Sequence, residues 1–178
     1  MNNIVFLISL LPVVFMIHDF EEIIFMKSWM RKNKNYLINK FPRIGVRIVK
    51  LFEPMSILSF IIAVAEEFIV LSLVTYLSIY YNSYYIWLVI FMGFFIHLIV
   101  HIIQFLVIRR YIPAIVTSVL AMGYCIYVFL EIVKINLFDY ADILICSVSG
   151  IIIVGLNLLF AHKLGHLVDK KLNNGFIE

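Results

Sequence analysis

The length of its apolar runs limits this chain more than any other feature. Stretches at approximately 3–26, 54–81, 85–108, 112–134 and 142–168 are predominantly apolar, and about 20 such residues, at 1.5 Å each along a helix, cross a bilayer core of ~30 Å. Lipid offers no hydrogen bonds to the backbone, so unbroken apolar runs of this length satisfy their N–H and C=O groups as helices. The expected fold is an all-α membrane protein: five transmembrane helices in one bundle, forming a single polytopic domain over residues 1–178. With 64% hydrophobic residues and a mean hydropathy of +1.06, an ordinary soluble domain is excluded.

The basic residues orient the bundle. Lys27, Arg31, Lys32, Lys34, Lys40, Arg43, Arg47 and Lys50 fall in the connection 27–50, and Arg109, Arg110, Lys163, Lys170 and Lys171 lie at the same side of an alternating path. Only Lys134 is left on the other side. By the positive-inside rule the N-terminus is outside and the C-terminus cytoplasmic, with 27–50 a basic cytoplasmic loop. Apolar residues interleaved with its charges, among them Trp29, Leu37, Ile44 and Val49, suggest that part of this loop lies on the headgroups. Because these cations flank spans and form no separate patch, nucleic acid is not expected as a partner. The start, Met1-Asn2-Asn3, lacks the basic region of a signal peptide, so the first helix is expected to be retained. Cys125 and Cys146 sit inside apolar runs and are read as small buried hydrophobes.

The ionisable residues within the spans carry the functional signal, since a charge at the bilayer centre costs ~2.5–3.5 kcal/mol even on the most lenient scale. Span 1 holds His18, Asp19, Glu21 and Glu22; span 2 holds Glu66 and Glu67; span 3 holds His97 and His101; span 5 holds His162 and His166. At helical spacing His18, Glu21 and Glu22 share a face, whereas Asp19 points off it. Ala63, one turn before Glu66 and Glu67, allows another helix to come close. Counted at 1.5 Å per residue, the span 1 cluster, His97, His101 and His162 lie roughly 6–16 Å from the cytoplasmic helix ends, and Glu66 and Glu67 at ~20 Å. A single site in the inner half of the membrane can gather them.

No lysine or arginine within spans 1, 2, 3 or 5 can neutralise these glutamates. Protons, histidinium or a metal must do so, and a mixed carboxylate and imidazole set from facing helices suits iron or zinc, with one ion or two. The candidate ligands are His18, Glu21, Glu22, Glu66, Glu67, His97, His101 and His162, and the four glutamates are also the candidate catalytic groups. Glu131, with Lys134 three residues on, is read as an ion pair at a helix end. Neither His97-x-x-x-His101 nor His162-x-x-x-His166 has the glutamate of an H-E-x-x-H zinc motif.

Glu-Glu pairs of this kind carry a resemblance. His18-Asp19-Phe20-Glu21-Glu22, Ala63-Val64-Ala65-Glu66-Glu67, His101 and the later Pro113-Ala114 resemble the pattern of the HXXEE-domain family of small bacterial integral membrane proteins, over roughly residues 10 to 115. Two positions depart from it, His97 standing where the family pattern has asparagine and Ala114 where it has glycine. The resemblance implies an enzyme-like protein of the bacterial plasma membrane, without a defined activity. Intramembrane glutamate proteases of the CAAX-processing type are also similar in pairing Glu-Glu with helix histidines, but their E-E-x-x-x-R would need arginine at Met26 or Leu71.

The function expected from the sequence is a membrane metalloenzyme acting on a lipid-soluble substrate by oxidative or hydrolytic chemistry, oxidative slightly favoured. Membrane lipids are its surroundings, and a homo-oligomer is compatible with the chain. Two alternatives are a metal-free proton or ion pathway through the same Glu/His cluster, and a glutamate-type intramembrane protease.

Overall fold

A computed structural model describes the backbone of residues 2–175 and the side chains of residues 3–172. Among the described residues seven helices follow one another: α1 (Asn2–Ser9), α2 (Leu11–Lys40), α3 (Pro42–Phe52), α4 (Ile57–Tyr80), α5 (Tyr85–Ile108), α6 (Ile115–Lys134) and α7 (Tyr140–Gly175). Five stretches are long and apolar enough to cross a membrane, α1 and α2 counting together as one of them.

The third span has the boundaries expected from its hydropathy, Tyr85 to Ile108. The first continues well past residue 26, and the segment read as a loop, 27–50, is helical except around Phe41. Its charges mark a helix emerging from the apolar layer. Met30 and Leu37, two turns apart, are buried together with Val49 of α3, while Arg31, Lys32 and Asn35 are exposed. Pro12 in the first turn of α2 and Pro42 in that of α3 explain the two interruptions, because proline has no N–H to give and its ring crowds the preceding turn.

At Phe41 the chain folds back on itself, so that α3 packs along the end of α2. Gly45 makes this approach possible, since a Cβ there would overlap the Leu37 carbonyl. The lysines of this region reach neighbouring helix ends: Lys27 Nζ donates to the carbonyls of Glu53 (2.8 Å) and Met55 (2.9 Å), and Lys40 Nζ to those of Val107 (3.1 Å) and Ile108 (3.0 Å). These carbonyls lack helical partners, and a cation there also meets the negative end of the helix dipole.

The fourth helix starts at Ile57, not at Pro54, because Ser56 caps it. The Ser56 hydroxyl accepts from the Ser59 N–H at 2.9 Å and donates to Asp169 of α7 at 2.6 Å. Packed between α4 and α5 is α7, held by backbone-close contacts at two glycines. A Cβ on Gly150 would overlap the Val89 carbonyl, and one on Gly165 the Ser59 carbonyl. Small residues that admit a neighbouring backbone are how helices associate where lipid gives no hydrophobic drive. Along the centre run Leu11, Phe15, Trp87, Leu88, Phe91, Leu98, Cys125 and Val128, all buried.

Candidate metal centre

Two helices supply the cluster. His18 and Glu22, one turn apart on α2, face His97 and His101, one turn apart on α5. One ligand atom from each of the four can be chosen so that all lie within 4.8 Å of one another. His101 Nε2 is 2.9 Å from His97 Nε2 and 3.2 Å from Glu22 Oε1. The His18 ring stands edge-on to both, with centroids 5.5 Å from His97 and 5.2 Å from His101. His18, Glu22 and His101 are buried.

The donor set fits a transition metal. Imidazole nitrogen with one carboxylate suits zinc or iron, whose bonds to such ligands run ~2.0–2.2 Å. One ring nitrogen of the group, His18 Nε2, is buried without a hydrogen-bond partner, and a buried polar atom left in that state is costly unless something binds it.

His18 is also set in the right tautomer. Its Nδ1 lies 3.4 Å from Thr117 Oγ1, and that hydroxyl makes its shortest bond, 2.7 Å, to Glu21 Oε2. Thr117 has one proton to give, and the carboxylate takes it, so the hydroxyl oxygen accepts from His18 Nδ1–H. Nε2 is then left with a free lone pair, the arrangement in which a second hydrogen bond orients a ligating imidazole.

Glu21 therefore stands outside the ligand group. Besides Thr117 Oγ1, its carboxylate accepts from the Thr117 N–H at 2.8 Å, the Val116 N–H at 3.4 Å and the Tyr111 hydroxyl at 2.7 Å. Those N–H groups are free donors in the first turn of α6, so Glu21 caps that helix from across the bundle. The turn that presents them runs through Pro113 and Ala114, the latter at φ 71° in the left-handed region. Tyr111 lies outside the spans; partial burial, and then the bond to Glu21, hold its hydroxyl above the usual tyrosine pKa, so it stays a donor.

The remaining expected ligands occupy other places. Glu66 Oε2 accepts from Asn157 Nδ2 of α7 at 3.1 Å. His162 lies between two aromatic rings, 6.1 Å from Phe52 and 6.0 Å from Phe60, centroid to centroid. Glu67 borders a cavity of about 400 Å³ beside the cluster, together with Glu22, His97 and His101. Asp19 lines the same cavity, is 5% exposed, and leaves Oδ2 unpartnered.

Helical spacing puts Asp19 off the His18 face, behind the ligands or linked to solvent if it takes part at all. It does sit off the His18 axis, yet Phe15, Asp19, Glu22, Met26 and Trp29 all line the cavity. Their alternating 4 and 3 spacing is a helix stripe that was available in the sequence. Thr117 and Tyr111, which hold Glu21, carried no such signal, because their role depends on how α6 meets α2.

A family described as "Protein of unknown function with HXXEE motif" matches residues 9–128, which include the whole cluster and the α6 turn. Neither a curated protein nor a solved structure matches the chain.

Proposed function

The chain belongs to the HXXEE-motif family, and from that premise we propose that it is an integral membrane metalloenzyme with one metal ion held by His18, Glu22, His97 and His101. The observation that carries this reading is the convergence of those four ligand atoms within 4.8 Å, with Glu22, His97 and His101 at the wall of a largely apolar cavity. Bound there, iron would supply redox chemistry and zinc Lewis acidity. One carboxylate among three imidazoles would neutralise a bound divalent ion in part, and no lysine or arginine lines the cavity to repel it.

The chain's own groups divide the remaining work. Glu21 and Thr117 orient His18, so Glu21 is a positioning residue. The buried Asp19 Oδ2 and the carboxylate of Glu67 face the cavity and are placed to give or take a proton from a bound molecule. Apolar walls from Phe15, Leu71 and Phe94 exclude water around them. Val100, Gln104 and Ile153 line the cavity and are exposed, which supports a cavity open at its edge to a lipid-soluble substrate. In this reading the protein is a multi-pass protein of the bacterial plasma membrane, its N-terminus outside and the basic ends of α2, α3 and α5 in the cytoplasm.

Metal analysis of the detergent-purified chain, prepared without chelators, tests the proposal. We expect about one zinc or iron per chain in the wild type and a loss of most of it in Glu22→Gln and His101→Ala. Less than about 0.1 metal per folded wild-type chain after incubation with either ion would overturn it, and would leave the same groups as a proton relay.

A further inference from the structure

The wall of the cavity beside the cluster carries polar residues in its middle and apolar ones to both sides. Along α5 the lining reads Ile90, Phe94, His97, His101, Gln104 and Ile108, in steps of four and three that keep to one helix face. Ile90 lies seven residues before His97 and Ile108 seven after His101, so the lining runs ~27 Å along the helix with the cluster at its midpoint. The same order recurs on two neighbours: Phe15 and Trp29 flank Asp19 and Glu22 on α2, and Phe60 and Leu71 flank Glu67 on α4.

At about 400 Å³ the cavity holds roughly a dozen groups of methylene or water size, at ~30 Å³ each. Drawn out along that lining, this is the width of one chain. The cavity is open along its middle, where Val70, Val100, Gln104 and Ile153 are exposed, each within four residues of Glu67, His101 or Asn157. Phe15 toward one end, and Met30, Leu37 and Ile112 toward the other, are buried. A head group seated at the cluster with its tail in one apolar lobe would leave the other lobe empty. An empty lobe forfeits both the burial of a chain and the packing contacts its lining would make.

We infer that the cavity binds one unbranched chain of about a dozen carbons lengthwise, so that an interior position of the chain, and not its end, lies against Glu22, His97 and His101. The substrate class is then a linear chain whose polar or reactive group stands at mid-length, flanked by two hydrocarbon arms. This deepens the proposed function and rests on it for the metal alone, since the path of the chain is set by the cavity.

Trp29 lines one lobe, whereas Trp87, the other tryptophan, is fully buried in the core. The compound 1,12-dibromododecane carries bromine at both ends, so that lengthwise binding in either direction quenches Trp29 fluorescence. The protein is kept in a sterol-based detergent, which offers no linear chain of its own. Two positional isomers, 6-dodecanol and 1-dodecanol, then compete for the site at equal mole fraction. The first should displace the quencher at a concentration at least about tenfold lower, because only its hydroxyl reaches the polar middle with both arms in apolar lobes. Ile90→Phe and Ile48→Phe fill opposite lobes, and each should weaken 6-dodecanol by about fivefold or more. A ligand held by its head, with its tail in one lobe, responds to one of them only. Where a filled-lobe variant folds poorly, the ranking of the isomers on the wild type decides alone.

Metal content is measured on every preparation, and the ranking is repeated on metal-free protein. A lead for 6-dodecanol without metal supports the inference even where the metal reading fails. Equal or better displacement by 1-dodecanol in either form overturns it, as do a response to only one of the two filled lobes and quenching that survives in Trp29→Phe.

Discussion

Glu21 and Glu22 are adjacent, chemically identical and both buried, yet their replacement should have opposite consequences. Glu21 accepts three bonds of 2.7–2.8 Å from Tyr111 and Thr117 and one of 3.4 Å from Val116. Bonds to a charged group contribute ~1.5–3 kcal/mol each, but the losses do not add fully, because a half-exposed group such as Tyr111 regains water. Loss of a helix cap alone costs ~0.5–2 kcal/mol. Together these place Glu21→Ala at about 2–4 kcal/mol of destabilisation, or roughly 5–15 °C in melting temperature for a chain of this size. Glu21→Gln keeps an acceptor oxygen and should lose about 1 kcal/mol, the charge–dipole part of the interaction.

The assay pairs a thermal melt in detergent with metal content. Glu21→Gln should melt a few degrees early and keep its metal. Glu22→Gln should lose most of its metal while the metal-free forms of variant and wild type melt together. If Glu21→Gln empties the site as Glu22→Gln does, the division between cap and ligand is wrong.

Further outcomes follow from other contacts. Gly165→Ala should destabilise by about 2 kcal/mol or more, since its Cβ would overlap the Ser59 backbone, while Gly123→Ala, with open space around it, should be neutral or gain up to ~1 kcal/mol from helix propensity; melts of the two variants check the pair. Ala114→Gly should stabilise by roughly 0.5–1 kcal/mol, because the left-handed φ of 71° costs a Cβ-bearing residue ~1–2 kcal/mol and the glycine's greater unfolded freedom returns part of it. His162→Phe should leave metal content unchanged, its ring lying between Phe52 and Phe60 away from the four ligands; a drop in metal would place it in the site.

The spans were legible because hydropathy alone sets them, and α5 ends where its apolar run ends. Residues 27–40 were not, since charge density was read as a loop where Met30 and Leu37 keep a buried helix face going. Within the cluster, His18 with Glu22 and His97 with His101 follow from four-residue spacing. Separating Glu21 from Glu22 does not, because both flank His18 on one face, and only the meeting of α2 with the Pro113-Ala114 turn assigns them. The place of Asp19 in the cavity wall is not legible from its angle to His18 and follows only from the stripe it shares with Phe15 and Glu22.

The two glycine contacts of α7 bear on how the molecule can open. Gly150 touches α5 and Gly165 touches α4, backbone against backbone, and the fifteen residues between them span ~22 Å. Ile153, Val154 and Asn157, which border the cavity, lie between these two pins. Fastened above and below, α7 behaves as a strut that cannot slide or tilt without forcing main chains through each other. Any breathing that admits a molecule must then come from walls other than α7, and α3 is itself pinned where it folds back over the end of α2, since a Cβ on Gly45 would overlap the Leu37 carbonyl.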